Sequence, residues 1–467
     1  MRKLTIGYLL RLVLTTLLFV VTSHSAYAAD LLDSWHAAQS KDPTFSAALA
    51  GAEAGKTKNA QARALKQPQV SASVGAGAVN TYNKISDAQF SAPEFGSYGG
   101  ASFKTQTDTG ADFRWNISAE QSLYNAERTT MARQLNKQAQ LASVKLSAEE
   151  QQLILRVSKA YFDVLLAEDT LAAVKKQRLA VVKAFEVAKG RYEEGDTAII
   201  DKHEAQARDD ALVSLELEAD SNYQLAQAAL IDLTGSSDQV LARPAEQVSF
   251  QQLNVGELND WLTLAQSNSP TLHLQQIQQD IAHDEIDKHR ASNSPILNLV
   301  AQAGGEKLSG LGGGNSSDLS NHSLSVGVQL TIPIFTGGMR NAKYEEAIAL
   351  EEKAKDETAA VRLSAGQQAR AAWLGVTVGK SKIKAMEQAL ISSKVKLDAT
   401  GLGKEAGDRT TLDILNAEQE YYATRTALFR ERYRMLLSYL NLSAVAGSLD
   451  EKRLAEVNAV LSLKQSD

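Results

Sequence analysis

The sequence predicts an α+β chain that is mostly α, in which long antiparallel helical hairpins alternate with strand hairpins. Three observations carry this. Leu324, Val326, Val328, Leu330 and Ile332 alternate with Ser323, Ser325, Gly327, Gln329 and Thr331, the two-residue period of a strand with one apolar face. Beyond Pro333 and the pair Gly337-Gly338 no proline recurs, and the apolar spacing changes to the three and four of a helix. The same order of signals is also written twice. "AQSKDPT" (Ala38 to Thr44) returns as "AQSNSPT" (Ala265 to Thr271), each copy preceded by a tryptophan, Trp35 and Trp261. Ser122 to Tyr124 stands opposite Pro333 to Phe335, and Gly195, Gly235 match Gly407, Gly447. The shift drops from 227 to about 211 between Pro68 and Tyr124, so the first copy carries about sixteen extra residues there. A repeat this long is an internal duplication and not a short-period solenoid.

Taken in order, the chain of 467 residues opens with Arg2, Lys3 and Arg11 around an apolar run to Val21, followed by the small residues of Ala26-Tyr27-Ala28. This is the pattern of a secretory signal peptide, residues 1–28, and the run is short for a membrane-anchoring helix. Without it the chain has 46 basic against 55 acidic residues, net −9, a poor balance for binding nucleic acid. There is no cysteine, which excludes disulfides, thiolate metal sites, cysteine nucleophiles and thioether lipid anchors. Residues 29–235 form the first repeat. Two helices between Asp33 and Gln67 lead to a strand (Val70, Ala72, Val74, Ala76 on one face), a loop from about Asn80 to Thr109, and a second strand. In that strand Phe113, Trp115, Ile117 and Ala119 alternate with Asp112, Arg114, Asn116 and Ser118.

A proline-free helix then runs from Asn125 to about Glu193, with a seam of Leu135, Ala139, Ala142, Leu146, Leu153, Val157, Ala160, Val164, Ala167, Leu171 and Val174. Sustained this far, the seam indicates a coiled coil or long bundle helix of about 100 Å. The acidic turn Glu193-Glu194-Gly195-Asp196 sends the chain back to about Thr234. A linker, 236–256, precedes the second repeat, 257–447, and a tail, 448–467, follows it. The second repeat has helices from Leu258 to Arg290, a strand with Leu297, Leu299 and Ala301, and a glycine-rich loop "GLGGGN" (Gly310 to Asn315). Its long helix, Met339 to about Lys404, has the more polar seam Ala347, Leu350, Ala354, Val361 and Ala371. The turn Glu405-Ala406-Gly407-Asp408 and a helix to Ala446 complete it.

Four strands cannot close a barrel, and an open edge in lipid leaves N–H and C=O groups unpaired at several kcal/mol each. If strands of about ten residues enter a membrane, several chains must pool them. Physics alone gives more than one chain and not the number.

The stretches "VGVQLTIPIFTGG", "EAGDRTTLDILNAEQEYY" and "LNLSAVAGSL" resemble the TolC-type outer-membrane factors, and the resemblance covers essentially the whole mature chain, duplication included. It implies a homotrimer in which each chain makes a four-strand contribution to one twelve-strand outer-membrane β-barrel, with twelve helices forming a long antiparallel coiled-coil tunnel in the periplasm. It further implies a passive exit duct for a periplasmic adaptor and an inner-membrane pump, an ABC or RND transporter, with no cofactor. Lacking cysteine, the chain resembles the unlipidated branches, and more the type I protein-secretion branch than dedicated drug-efflux factors.

An acid recurs at the two helical turns: Asp201 lies six residues after Gly195, and Asp413 six after Gly407. Helix capping explains Asp413 with Thr410, and acids favour a helix N-terminus. Three chains would instead ring a pore with six such carboxylates, and the residues leave both readings open. By resemblance, Asp413 matches the acid of the family's constriction ring, Asp201 an acid bonded across the closed tip, and Arg409 an arginine that latches neighbouring helices. Asn416 stands where a second ring acid is expected, Lys404 replaces a latch tyrosine and Ile200 a latch threonine. A Lys404–Asp201 ion pair would be a substitute latch. Glu193, Glu194, Gly195, Glu405 and Gly407 are the candidate docking residues for the adaptor or pump.

Asp280, His283, Asp284 and Asp287 share one helical face, which reads as a solvated face and not a metal site. "GLGGGN" lies between strands, where no phosphate cradle forms. No nucleophile-and-base constellation marks an enzyme. The competing class is a soluble periplasmic coiled-coil adaptor, which has one helical hairpin and no duplicated strand pairs; an autonomous porin fails on strand number.

Overall fold

The computed structural model describes residues 30–94, 96–195, 199–237, 240–245, 250–310 and 318–462. The signal peptide, Asp196 and residues 311–317 of the glycine-rich loop lie outside them. The elements are α1 (Leu31–Lys41), α2 (Pro43–Ala64), β1 (Gln69–Ala92), β2 (Gly96–Tyr124), α3 (Ala126–Glu193), α4 (Ile199–Thr234), β3 (Arg243–Pro244), α5 (Leu258–Asn268), α6 (Pro270–Ala291), β4 (Ile296–Gly310), β5 (Asp318–Thr331), α7 (Met339–Glu405), α8 (Thr411–Val445), α9 (Glu451–Asn458) and β6 (Leu461–Ser462). The described residues form two compact units: one of 52–143 with 275–358, the other of the remaining residues. Among them no helix is long and apolar enough to cross a membrane.

The unit containing 52–143 holds an antiparallel four-stranded sheet in the order β1-β2-β4-β5. Its register puts Ala72, Ile117, Ala303 and Leu324 in one row across the sheet. Because side chains alternate along each strand, Val70, Val74, Trp115, Leu299, Val326 and Val328 share that face. It is open: Leu324 is 81% and Val74 71% exposed. The opposite face is polar. Ser71 and Ser118 hydroxyls meet at 2.7 Å, Asn298 donates to Glu120 at 2.9 Å, and Arg114 is held between Asp112 (2.8 Å) and Glu306 (2.9 Å). Strands β1 and β5 each pair on one side only.

Two sequence expectations are corrected in this unit. The first hairpin is not two ten-residue strands around a loop. β1 has 24 residues and β2 has 29, so most of 80–109 is a paired ribbon whose last pair is Ala92 with Gly96. Glycine and serine suggested a loop, but cross-strand hydrogen bonds persist through register shifts at Val79/Thr81, Ile85/Ala88 and Ala88/Phe90. Residues 96–109 of β2 pair with β1 alone, because β4 pairs only from Gly110 onward. The acids of α6 are also not simply solvated. Asp284 is 4% exposed and binds Lys137 at 2.8 Å, and Asp287 binds Arg133 at 2.8 Å, so that face packs against basic residues of α3.

In the other unit, Leu153, Val157, Tyr161, Phe162 and Leu165 of α3 pack with Val376 and Ile383 of α7 and with Tyr433, Leu436, Tyr439 and Leu440 of α8. The α7 seam is Ala347, Ala354, Ala365, Ala369, Val376 and Ile383; Leu350 and Ala371, expected in it, are exposed. Mid-helix the polar sequence leaves two stripes of small residues to choose from, and only packing decides. The segment after α4 joins this core. Leu241, Phe250, Leu253 and Val255 are buried, as are Leu454 and Val457 of α9, and β3 pairs with β6. Arg243 binds Asp169 (2.8 Å) and Glu168 (2.6 Å), Tyr433 donates to Asp169 (2.7 Å), and Tyr161 donates to the Ala242 carbonyl (2.6 Å). Burial raises the Asp169 carboxyl, and the Tyr433 and Arg243 hydrogen bonds satisfy it.

Candidate functional site

The candidate residues gather where α3 turns into α4 and α7 into α8. Both turns need a left-handed residue, and glycine supplies it: Gly195 has φ of +82° and Gly407 +83°. At the second turn the Gly407 N–H donates to the Lys404 carbonyl (3.0 Å) and the Asp408 N–H to the Gly403 carbonyl (2.8 Å), closing the last turn of α7. Glu193, Glu194, Gly195, Glu405 and Gly407 are all exposed, forming acidic, solvent-facing loops. Arg409 folds back over the end of α7, where a β-carbon on Gly403 would stand 2.8 Å from its Cγ.

Asp413 closes a capping box at the start of α8. Its backbone N–H donates to Thr410 Oγ1 (3.1 Å), and its carboxylate accepts from the Thr410 N–H and hydroxyl, both at 2.9 Å. Those two donors, with Arg409 nearby, hold the carboxyl below its usual range. The capping explanation of this residue therefore operates in the single chain. Arg409, Asp413 and Asn416 line one concave surface of about 420 Å³ with Lys396 and Thr400. Asn416 accepts from Arg208 of α4 at 2.9 Å, and Lys396 binds Glu420 at 2.5 Å, tying α7 to α8. Beneath them Val181, Ala205, Leu212 and Leu415 form a small core of their own.

Lys404 and Asp201 belong to a second cluster. Partial burial and the Arg191 charge lower the Lys404 ammonium, while Asp201 and Glu418 act in the opposite sense. Glu418 was missed by sequence reasoning: burial pushes its carboxyl up to about 7, against the pull of Lys404. Its signal was available as a charge three residues after buried Leu415 and four before half-buried Tyr422, on the stripe that faces other helices. Lys396 and Arg208 carry no such signal. Further up, Arg178 of α3 bridges Asp209 and Glu216 of α4, each at 3.0 Å. Among the described residues no group of His, Asp and Glu converges to hold a metal ion.

The family model described as outer membrane efflux protein matches residues 35–236 and 261–448. The chain is 29% identical over 447 residues to the alkaline protease secretion protein AprF of Pseudomonas aeruginosa, covering 93% of this chain and 88% of that one. It is 32% identical over 348 residues to the outer membrane protein TolC of Vibrio cholerae, covering 74% and 79%. In fold it is similar to the crystal structure of a membrane protein from Pseudomonas aeruginosa, with a TM-score of 0.72 at 18% identity over 89% of this chain and 93% of that one.

Proposed function

The chain belongs to the outer membrane efflux protein family, and from that premise we propose that it is one third of a trimeric outer-membrane channel-tunnel. It serves as the passive exit duct of a tripartite pump, for type I protein secretion, efflux of small molecules, or both. The observation that carries the reading is the sheet β1-β2-β4-β5, apolar on one face, polar on the other, and unpaired along both outer strands. In lipid those edges must be satisfied, and β5 of one copy beside β1 of the next does so without new chemistry. Three copies close a barrel of twelve strands with its polar face inward. A soluble adaptor has no use for an exposed apolar sheet face, so that alternative is not favoured.

In this arrangement a periplasmic adaptor and an inner-membrane ABC or RND transporter dock at the acidic turns, through Glu193, Glu194, Gly195, Glu405 and Gly407. Asp201, Asp413 and Asn416 line the constriction, and Lys404 and Arg409 latch the helix ends. The chemistry is selection and gating, not catalysis, with no cofactor. Residues 1–28 direct export and are removed. The experiment is direct: fractionate membranes, extract with detergent, and determine mass. A trimer that requires detergent and conducts in planar bilayers supports the duct; a soluble monomer in the periplasmic fraction refutes it.

A further inference from the structure

Glu418 sits on α8 with its Oε2 sealed from solvent and without a hydrogen-bond donor among the described residues. Across the helix boundary it faces Lys404, in the last turn of α7. That ammonium in turn is acted on by Arg191, from the last turn of α3, and by Asp201, from the first turn of α4. On its own helix the titratable neighbour is Tyr422. Lys404 thus stands between Glu418 and the charges at the end of α3 and the start of α4, beside the turn that Gly407 makes.

We propose that Glu418 is a positioning residue of the helical turns, holding the helix ends together while uncharged and loosening Lys404 and its turn when it ionises. The reason is that a carboxylate oxygen sealed from solvent with no donor is costly when charged, and the cheapest remedy is water. Water reaches Oε2 only if the packing around it loosens. Any arrangement that hydrates Glu418 returns its carboxyl to about 4.3, against about 7 here. The arrangement seen here binds the proton more tightly, so acid favours it. It is progressively disfavoured as pH rises from about 4.3, and that effect is complete above about 7. Across this window each pH unit changes the ratio of hydrated to buried forms by up to about tenfold per copy. Lys404 alone cannot prevent this, because it is itself partly desolvated.

The inference rests on the duct reading, in which these helix ends surround the tunnel mouth. The test uses the full-length protein in planar bilayers from pH 5 to 8.5. A nitroxide is placed on Glu194→Cys, in a chain that has no cysteine of its own. Conductance and the distances between labels should both rise with pH, with a midpoint between about 4.3 and 7 and a plateau above it. Glu418→Gln should hold the acid-side behaviour throughout. Lys404→Met should move the midpoint upward, because a charge favouring ionisation has gone. Wild-type titration in Glu418→Gln, checked by mass to be assembled, overturns the proposal. If that variant does not assemble, Glu418→Asp takes its place: a lowered midpoint supports the proposal and an unchanged one overturns it. A protein that neither trimerises nor conducts at any pH refutes the duct, whereas one that conducts but does not respond to pH refutes Glu418 alone.

Discussion

Asp413 caps α8, and one substitution separates that role from the pore ring proposed for it. Asparagine keeps a side-chain acceptor for the Thr410 N–H and hydroxyl but carries no charge. In Asp413→Asn, cation selectivity in planar bilayers is expected to fall if three copies ring the pore; wild-type selectivity would leave the residue as a cap only. The pH dependence follows from the lowered carboxyl. Its stabilising effect is present above the usual carboxylate range and is lost as pH falls through the depressed value, so selectivity should persist into mild acid. Arg409 can be tested without touching it. Gly403→Ala puts a methyl group into the Arg409 side chain, and conductance should rise, as is also expected for Arg409→Ser. Unchanged conductance in both variants would remove Arg409 from the latch. The Thr410–Asp413 cap was legible because it depends on four consecutive residues. Glu418 carried only the weaker signal of its place on the stripe, because its partner Lys404 comes from another helix.

At the level of elements, a seam read from spacing holds where the residues are large. Leu153, Val157, Val164 and Leu171 are buried as their period requires, while the alanine-rich second seam was half misread. Leu436 of α8 is fully buried, so Leu436→Ala should cost about 2–5 kcal/mol. Denaturant unfolding followed by helical circular dichroism measures it, and a loss below about 1 kcal/mol would mean the core closes over the gap. The hairpin of β1 and β2 was underestimated because pairing is nonlocal and its sequence imitates a loop. Its turn is therefore the place for an epitope, since the flanking residues are already paired, Ser91 with Ser97. A tag inserted after Glu94 should be labelled on intact cells with export preserved. Labelling only after permeabilisation would invert the assigned orientation. The packing of 240–245, 250–255 and 451–461 left no periodic signal, because short segments find their core by contact and not by pattern.

For the whole molecule, duplication and period changes made the class of assembly legible, while the number of copies came only by resemblance. Charge reversal of Glu193 and Glu194, both exposed, should reduce transport with the trimer intact; equal losses of both would make them structural. The open edges of β1 and β5 have a genetic consequence. The surface that recruits the next copy is the same in every copy and far in sequence from the helical turns. A copy defective only at its turns is therefore recruited as readily as a sound one, and each mixed trimer carries the defect. Alleles altered near Gly407 should be dominant when co-expressed with wild type. Alleles that destroy β5 should be recessive, because their products never enter a trimer and leave the sound copies to find one another.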